Sequence, residues 1–294
     1  MTRERLKSWA KDAMGKTYWK SVLVALILGV TAGSGAGSGS SGSSSSGSGS
    51  GSMSEEEIIA MLIAFAIIMT IVFVVVAIGF VAKALALNPL HVGCQSYFCE
   101  GLENPEVSLG LIGKGFKSNY KNVTKTMFFR DLYLFLWSMI MWIPVALFIG
   151  GVVVVAIMEE AMGMSSATAG IIMAIIFFIF FIGLMISMIP WIMKTYEYMM
   201  VPYILAENPD MDRKEVFALT KAMMTGHKWE AFILNMSFIG WEMLGVLTCG
   251  ILHIFYIAPY KAYTLAAYYK VMYQKHKAQE IPAYNYGKML SGQY

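Results

Sequence analysis

Four polar side chains near the C-terminal end of the sequence fall within long apolar stretches. Asn235 and Glu242 are seven residues apart, which places them on one face of a helix. His253 and Lys261 follow in the next stretch, beyond a short Thr-Cys-Gly segment. Ionisable groups inside a bilayer are costly, and they commonly mark ion pathways and proton relays. These four residues are therefore the candidate polar site.

Their spacing from a turn at Thr248–Gly250 predicts the depth of each group. At ~1.5 Å of rise per residue, Glu242 and His253 lie ~9 and ~4.5 Å below the turn, and Asn235 and Lys261 lie ~20 and ~16 Å below it. We expect Glu242 to face His253 and Asn235 to face Lys261, which forms a polar track. Hydrogen bonding between helices, with a lysine that reaches the interface, is the preferred interpretation. A proton or ion relay is the alternative.

No catalytic or cofactor motif accompanies these residues. The sequence lacks the His-Glu-x-x-His and Gly-x-Ser-x-Gly motifs, a phosphate-binding glycine loop and a dinucleotide fingerprint. Its four histidines are scattered, and none has a second ligand at metal-binding spacing. We therefore expect no metal, no cofactor and no enzymatic activity. An intramembrane lipid-modifying enzyme is a third interpretation.

The composition indicates what kind of element must hold such residues. Of 294 residues, 57% are hydrophobic and only 14% are charged, and the mean hydropathy is +0.59. A soluble domain has about 25% charged residues and about 45–50% apolar residues. The composition therefore excludes a soluble globule, a secreted disulfide scaffold and a nucleic-acid-binding protein, and it indicates an integral membrane protein.

The apolar stretches predict an all-α fold of about six transmembrane helices arranged as three hairpins. A bilayer core of ~30 Å needs ~20 helical residues, so the 39-residue stretch Ala231–Tyr269 must turn once, at 248–250. The predicted helices are residues 21–32, 58–87, 127–158, 167–193, 229–247 and 251–272.

Lysine and arginine placement predicts the orientation, because cationic loops stay in the cytoplasm. The predicted outer segments 33–57, 159–166 and 248–250 contain no lysine or arginine. The segments 1–20, 88–126, 194–228 and 273–294 contain nearly all of them. Both termini are therefore expected in the cytoplasm. A cleaved signal peptide over the first apolar run is an alternative that leaves the other helices unchanged.

The outer segment 33–57 is dominated by a glycine and serine tract, Gly33–Ser52. Such a tract has almost no side chain to bury, so we expect a flexible connector with a root-mean-square span of about 25 Å. A glycan-acceptor tract or an engineered scar is the alternative.

The cytoplasmic segments are expected to contain amphipathic helices that lie at the membrane surface. In the first, Leu6, Trp9, Ala13 and Met14 share a face; in a later one, Asn208-Pro209 is a plausible helix start. Glu103-Asn104-Pro105 is repeated as Glu207-Asn208-Pro209, which suggests three copies of a unit made of a surface helix and a hairpin. The candidate membrane-surface cations are Arg3, Arg5, Lys7, Lys11, Lys114, Lys117, Lys121, Lys214 and Lys221.

Several strings of the sequence resemble a bacterial integral membrane family known as Domain of Unknown Function 975. They are WSMIMWIP at 137–144, IPWIMKTYEYMMVPYILAENP at 189–209, MMTGHKW at 223–229, SFIGW at 237–241 and APY at 258–260. The resemblance covers nearly the whole chain and implies a multi-pass protein of the bacterial plasma membrane, but it implies no reaction.

Two features depart from the pattern of this family. Residues 145–188 intervene where the tryptophan-rich helix normally continues directly into the Lys-x-Tyr-x-Tyr segment, and Glu242 stands where an apolar residue is expected. We expect a non-enzymatic scaffold or accessory protein that binds anionic lipid or another membrane protein. A small transporter or channel that uses Asn235, Glu242, His253 and Lys261 is the alternative.

Overall fold

A computed structural model describes residues 3–32, 55–163 and 165–290, and every regular element in these residues is helical. The Gly/Ser tract lies outside the described residues. The α-helices are α1 Arg3–Lys16, α2 Tyr18–Ala32, α3 Glu55–Ala82, α4 Asn88–Gly101, α5 Lys114–Lys117, α6 Tyr120–Ser138, α7 Trp142–Met162, α8 Ser166–Glu197, α9 Val201–Glu207, α10 Arg213–Met224, α11 Lys228–Met236, α12 Ile239–Leu247 and α13 Ala258–Leu290. Short helical segments of other kinds are the π-helical turns Lys83–Leu87 and His253–Ile257 and the 3-10 turns Leu109–Gly113 and Met139–Met141.

Three helical runs among the described residues are long and apolar enough to cross a membrane. They are Tyr120–Met162, Ser166–Glu207 and Lys228–Leu247, and the bent pair α1–α2 makes a fourth if it counts as one span. An all-helical protein suited to a bilayer is therefore the observed class. The count of six transmembrane helices stays a prediction.

The chain turns by 109° between α1 and α2. Thr17 lies at this corner, where its hydroxyl donates to the Ala13 carbonyl or pairs with the Tyr263 hydroxyl 2.7 Å away. Leu6, Ala13 and Met14 are buried as their shared face predicts, and Ala10 is buried beside them. The bend makes α1 and α2 two helices of clearly different direction.

The core is built around α4, which packs against α2, α6, α9 and α13. Tyr97 and Phe98 are fully buried, and the Phe98 ring meets the Tyr263 ring edge to face at 5.0 Å. Large aromatic side chains contribute much of the burial energy of a core. Because α4 occupies the centre, the predicted cytoplasmic loop 88–126 contains a largely buried core helix.

Two glycines let the backbone approach α4 at van der Waals contact. A Cβ added to Gly93 would lie 1.9 Å from the Ile112 carbonyl oxygen, and one added to Gly115 would lie 2.0 Å from the Pro89 carbonyl oxygen. Both distances are shorter than any real contact, so only glycine fits at either position. The segment from Leu109 to Lys117 is thereby held against α4.

The helices α7 and α8 form a long hairpin that closes at Gly163, whose φ of 66° requires the left-handed region. The run Tyr120–Met162 is 43 residues long and Ser166–Glu207 is 42. At ~1.5 Å per residue, each run extends about 60 Å, twice a bilayer core of ~30 Å. Most side chains of the hairpin point outwards, for example Leu147 at 72% and Phe178 at 65% exposure, as lipid-facing residues would.

Two helix boundaries differ from those predicted. Asn208-Pro209 ends α9 and does not start α10, because the Asp212 side chain caps α10 by accepting from the Lys214 amide at 3.0 Å. The predicted helix 229–247 is divided between α11 and α12 at Ser237 and Phe238. The Ser237 hydroxyl donates to the Leu234 carbonyl, which is the local competition that weakens helices at serine.

Candidate functional site

Three of the four predicted polar residues form one connected cluster. His253 Nδ1 lies 2.9 Å from Glu242 Oε2, and Lys261 Nζ donates to Glu242 Oε1 at 3.1 Å. Glu242 belongs to α12, His253 opens the π-helical turn, and Lys261 lies in the first turn of α13. The side chains are one-third to two-fifths exposed, so the cluster faces an open space. One carboxylate thus holds two basic groups from the returning helix.

Asn235 is not part of this cluster. Its Nδ2 donates to the Ala231 carbonyl of its own helix at 3.1 Å. The predicted pair of Asn235 with Lys261 is therefore not formed, because Lys261 turns towards Glu242. Asn235 lies on α11 and Glu242 on α12, and the irregular turn at Ser237 and Phe238 lies between them.

The cluster opens into a cavity of about 580 Å³ between α2, α4, α6, α8, α9, α12 and α13. Glu242, His253 and Lys261 line it together with residues that the sequence analysis did not single out. These additional polar residues are His91, Gln95 and Arg130. Two features of the sequence could have identified them. His91 and Gln95 have the i, i+4 spacing of one helix face, and Arg130 lies beside an apolar stretch.

A buried carboxylate holds Arg130 at the cavity wall. Arg130 donates from Nε and Nη2 to Asp131 Oδ1, at 3.0 and 2.7 Å. The other oxygen of Asp131 accepts from Asn88 at 3.0 Å and lies 3.3 Å from Lys83 Nζ. Asp131 is only 8% exposed; Arg130 is its neighbour in sequence, whereas Lys83 and Asn88 come from one sequence-distant segment. The arrangement fixes the orientation of the guanidinium group towards the cavity.

Both π-helical turns of the described chain begin next to this region. The first begins at Lys83, which pairs with Asp131, and the second begins at His253, which pairs with Glu242. π-Helical turns are rare, and they occur frequently at functional sites. Their position marks the cavity as a candidate functional site independently of its polar residues.

A second open groove, of about 670 Å³, lies between α1, α11 and α13. Arg3, Lys7 and Lys275 line it with Glu4 and Glu230. Its apolar wall consists of Leu6, Ile233, Leu234, Val271 and Met272. The Lys7 ammonium also lies over the Phe238 ring, 4.6 Å from its centroid. A charged rim over an apolar floor is the character of a site for an amphiphile.

The other predicted surface cations do not join this groove. Lys114 donates to the Ala206 carbonyl at 2.7 Å and so connects α5 to the end of α9. The remaining ones are exposed on α1 and on later elements: Arg5, Lys11, Lys117, Lys121, Lys214 and Lys221.

The repeated Glu-Asn-Pro strings meet at a single lysine. Lys270 Nζ lies 2.8 Å from Glu207 Oε1 and 3.0 Å from Glu103 Oε1, and the Tyr269 hydroxyl donates to Glu207 at 2.9 Å. One ammonium group on α13 thus binds the glutamates of both strings.

Within the described residues, no group of three or more histidine, cysteine, aspartate or glutamate side chains is placed to hold a metal ion. The two buried cysteines, Cys94 and Cys99, and the exposed Cys249 are free thiols.

Comparison with curated proteins and with solved structures finds no match to this chain. A family model does match, over residues 1–276, and its description is a protein of unknown function, DUF975. The match includes the groove, the cavity and the two Glu-Asn-Pro strings. The chain belongs to the DUF975 family.

Proposed function

We propose that this chain is a non-enzymatic scaffold or accessory protein of the bacterial plasma membrane that binds anionic lipid at its cytoplasmic face. The single observation that carries the proposal is the groove between α1, α11 and α13, where three cationic side chains surround an apolar floor. The scaffold work itself, in envelope assembly or export, is the broader role that such lipid binding would serve.

The groove matches an anionic phospholipid in both parts of the molecule. The phosphate group would lie among Arg3, Lys7 and Lys275, and the first methylenes of the acyl chains would lie against Leu234 and Met272. Each lysine or arginine near an anionic bilayer surface contributes about 1 kcal/mol to binding. Glu4 and Glu230 at the rim reduce the net positive charge, and they favour a headgroup that also carries a hydroxyl or amine donor.

The predicted orientation supports this location of the groove. It places α1 and the end of α13 on the cytoplasmic side, where anionic lipids attract basic segments. The 109° bend after α1 is the geometry that a helix needs to lie along the headgroups before the chain enters the bilayer.

Lipid retention by the purified protein tests the proposal. In the variant Arg3→Gln/Lys7→Gln/Lys275→Gln, three cations of about 1 kcal/mol each are lost, so phosphatidylglycerol binding should weaken by about a hundredfold. Native mass spectrometry of protein extracted from vesicles that contain phosphatidylglycerol and phosphatidylcholine measures the bound lipid directly.

A matched variant separates groove binding from general surface charge. Lys11, Lys16 and Lys277 lie on the same helices, are exposed and are not part of the groove. Their replacement by glutamine should leave the retained phosphatidylglycerol nearly unchanged. An equal loss in both variants would contradict the groove as the site, and retention of a protein in place of lipid would favour a partner protein.

Transport is the second candidate, and the contacts of Glu242 with His253 and Lys261 favour it. These groups carry exchangeable protons and line an open cavity, as a relay requires. Proton flux into proteoliposomes that Glu242→Gln abolishes, with an unchanged amount of folded protein, would support this candidate over the scaffold.

A further inference from the structure

The cavity of about 580 Å³ combines an apolar wall with an unusual concentration of hydrogen-bond donors. We propose that it is a binding site for a small amphiphile that carries a carboxylate or phosphate group on a short apolar chain. The inference concerns a different site from the lipid-binding groove, and neither depends on the other.

Arg130 supplies the first donor group for an acidic ligand. Its two hydrogen bonds to Asp131 come from Nε and Nη2, so both lie on one edge of the guanidinium group. In the described part of the chain, Nη1 makes no hydrogen bond, and a guanidinium offers two N–H groups there. Because Asp131 fixes the other edge, Arg130 is preorganised to bind an oxyanion.

Lys261 and His253 supply the second donor group. Lys261 uses one ammonium proton for Glu242, which leaves two others, and His253 uses Nδ1, which leaves Nε2. Glu242 faces these groups from α12, and it is the negative side chain among those that line the cavity. The lining thus has two permanent positive charges against one negative charge.

Gln95 contains an unsatisfied polar atom. The residue is only 4% exposed, and its Oε1 has no hydrogen-bond partner among the described residues. Its Nε2 lies 3.3 Å from His91 Nε2. Oε1 is itself shielded from the cavity, so Gln95 adds no acceptor for the ligand, and the donor groups of the site are those of Arg130, Lys261 and His253.

The remaining lining explains the apolar chain of the ligand. Apart from the polar residues and two tyrosines, the wall is mostly aliphatic, and its larger members are Leu28, Leu134, Met199, Pro202 and Leu265. The volume falls within the ~300–1,000 Å³ that is usual for small-molecule sites. An acidic group held at Arg130 and Lys261 would leave the tail in contact with this aliphatic surface.

Thermal unfolding of the purified protein in detergent tests the ligand class. Octanoate and octyl phosphate should raise the midpoint of unfolding, whereas octanol and octyltrimethylammonium, which share the chain but not the charge, should not. Stabilisation by the cationic amphiphile, or equal stabilisation by all four, would overturn the proposal.

Two single variants with opposite expected signs test the charge argument. Lys261→Gln removes a charge-assisted hydrogen bond and should weaken octanoate binding about tenfold. Glu242→Gln removes the opposing charge and should strengthen binding by a similar factor. Lys277→Gln, exposed on the same helix, should leave the affinity unchanged. Changes of the same sign in the first two variants would contradict an anionic ligand.

The double variant Glu242→Gln/Lys261→Gln keeps the test decisive if a single variant does not fold. It leaves no unpaired charge from this ion pair, and it should bind octanoate less tightly than Glu242→Gln does. An affinity for octanoate equal to that of Glu242→Gln would overturn the role of Lys261.

Native mass spectrometry distinguishes the source of the ligand. A bilayer lipid would copurify with Lys277→Gln but less with Lys261→Gln. A soluble acid would appear only when it is added.

Discussion

Gly93 is the residue at which a single methyl group would disturb the structure most clearly. It lies on α4, and the Ile112 carbonyl occupies the place of a Cβ. Gly115 stands in the same relation to Pro89. Because each added Cβ would collide with a main-chain carbonyl group, no side-chain rotation can relieve the collision. Of Gly110, Gly113 and Gly115, only Gly115 would bring an added Cβ against backbone atoms.

We predict that Gly93→Ala and Gly115→Ala each destabilise the protein by about 3 kcal/mol or more, since overpacking costs ~1–3 kcal/mol even where side chains can move. Gly113→Ala is the matched control, because no atom lies within 4 Å of its added Cβ. Denaturation in detergent, followed by tryptophan fluorescence, measures the three changes. Equal stability of Gly93→Ala and Gly113→Ala would contradict the close packing on α4.

The sequence identified some residues of the site and missed others. Glu242, His253 and Lys261 were predicted from their cost in an apolar stretch, and the structure brings them together. Asn235 was grouped with them by helical spacing alone, and that spacing assumes an unbroken helix. Arg130 was not identified, because its role depends on Asp131, Asn88 and Lys83, whose meeting follows from tertiary packing.

At the element scale, Lys270 joins the segments that follow α4 and α9 to α13. The two Glu-Asn-Pro strings resemble each other only over a few residues, but both present their glutamate to the same ammonium group. The contacts do not establish a threefold repeat of the chain. They give the two strings a common structural role, which is to fix the ends of two core helices against a third.

We predict that Lys270→Met lowers the stability by about 1–2 kcal/mol, because Glu207 is left partly buried without its partner. Glu207→Gln should cost more than Glu103→Gln, since the side chain of Glu103 is 59% exposed and that of Glu207 only 24%. Lys277→Met is the control on an exposed position of α13. Chemical denaturation at neutral pH provides the comparison.

Prediction at the element scale succeeded where composition decides and failed where packing decides. The long apolar runs around Leu147 and Phe178 gave helices without ambiguity. The starts of α10 and α12 were missed although their signals are local, because Asp212 competes with Asn208-Pro209 as a cap and Ser237 interrupts an apolar run. The central position of α4 also could not be read from a segment that contains Asn88, His91 and Gln95.

At the scale of the whole molecule, orientation in the membrane is the property on which the proposed functions depend. The distribution of lysine and arginine predicts that the groove and the lysine-rich segments lie inside the cell. The turn between α12 and α13 then faces outwards. Cys249 lies in this turn and is exposed, while Cys94 and Cys99 are buried.

We predict that a membrane-impermeant maleimide labels the unmodified protein in intact cells at Cys249 alone. Cys249→Ser should abolish the labelling, and a cysteine at Lys117 in that background should react only after the cells are permeabilised. Mass spectrometry of the purified protein identifies the labelled residue. Labelling of Cys249 that requires permeabilisation, or of Lys117→Cys in intact cells, would reverse the orientation.

The long hairpin of α7 and α8 has a consequence for the choice of membrane. Its apolar stretches, residues 132–158 and 167–193, each rise about 40 Å, which exceeds a hydrocarbon layer of ~30 Å by about a third. Such a mismatch is relieved by a tilt of about 40° or by thickening of the surrounding lipid. We therefore expect the hairpin to favour thicker bilayer regions, which would make acyl-chain length a variable that controls where the protein resides.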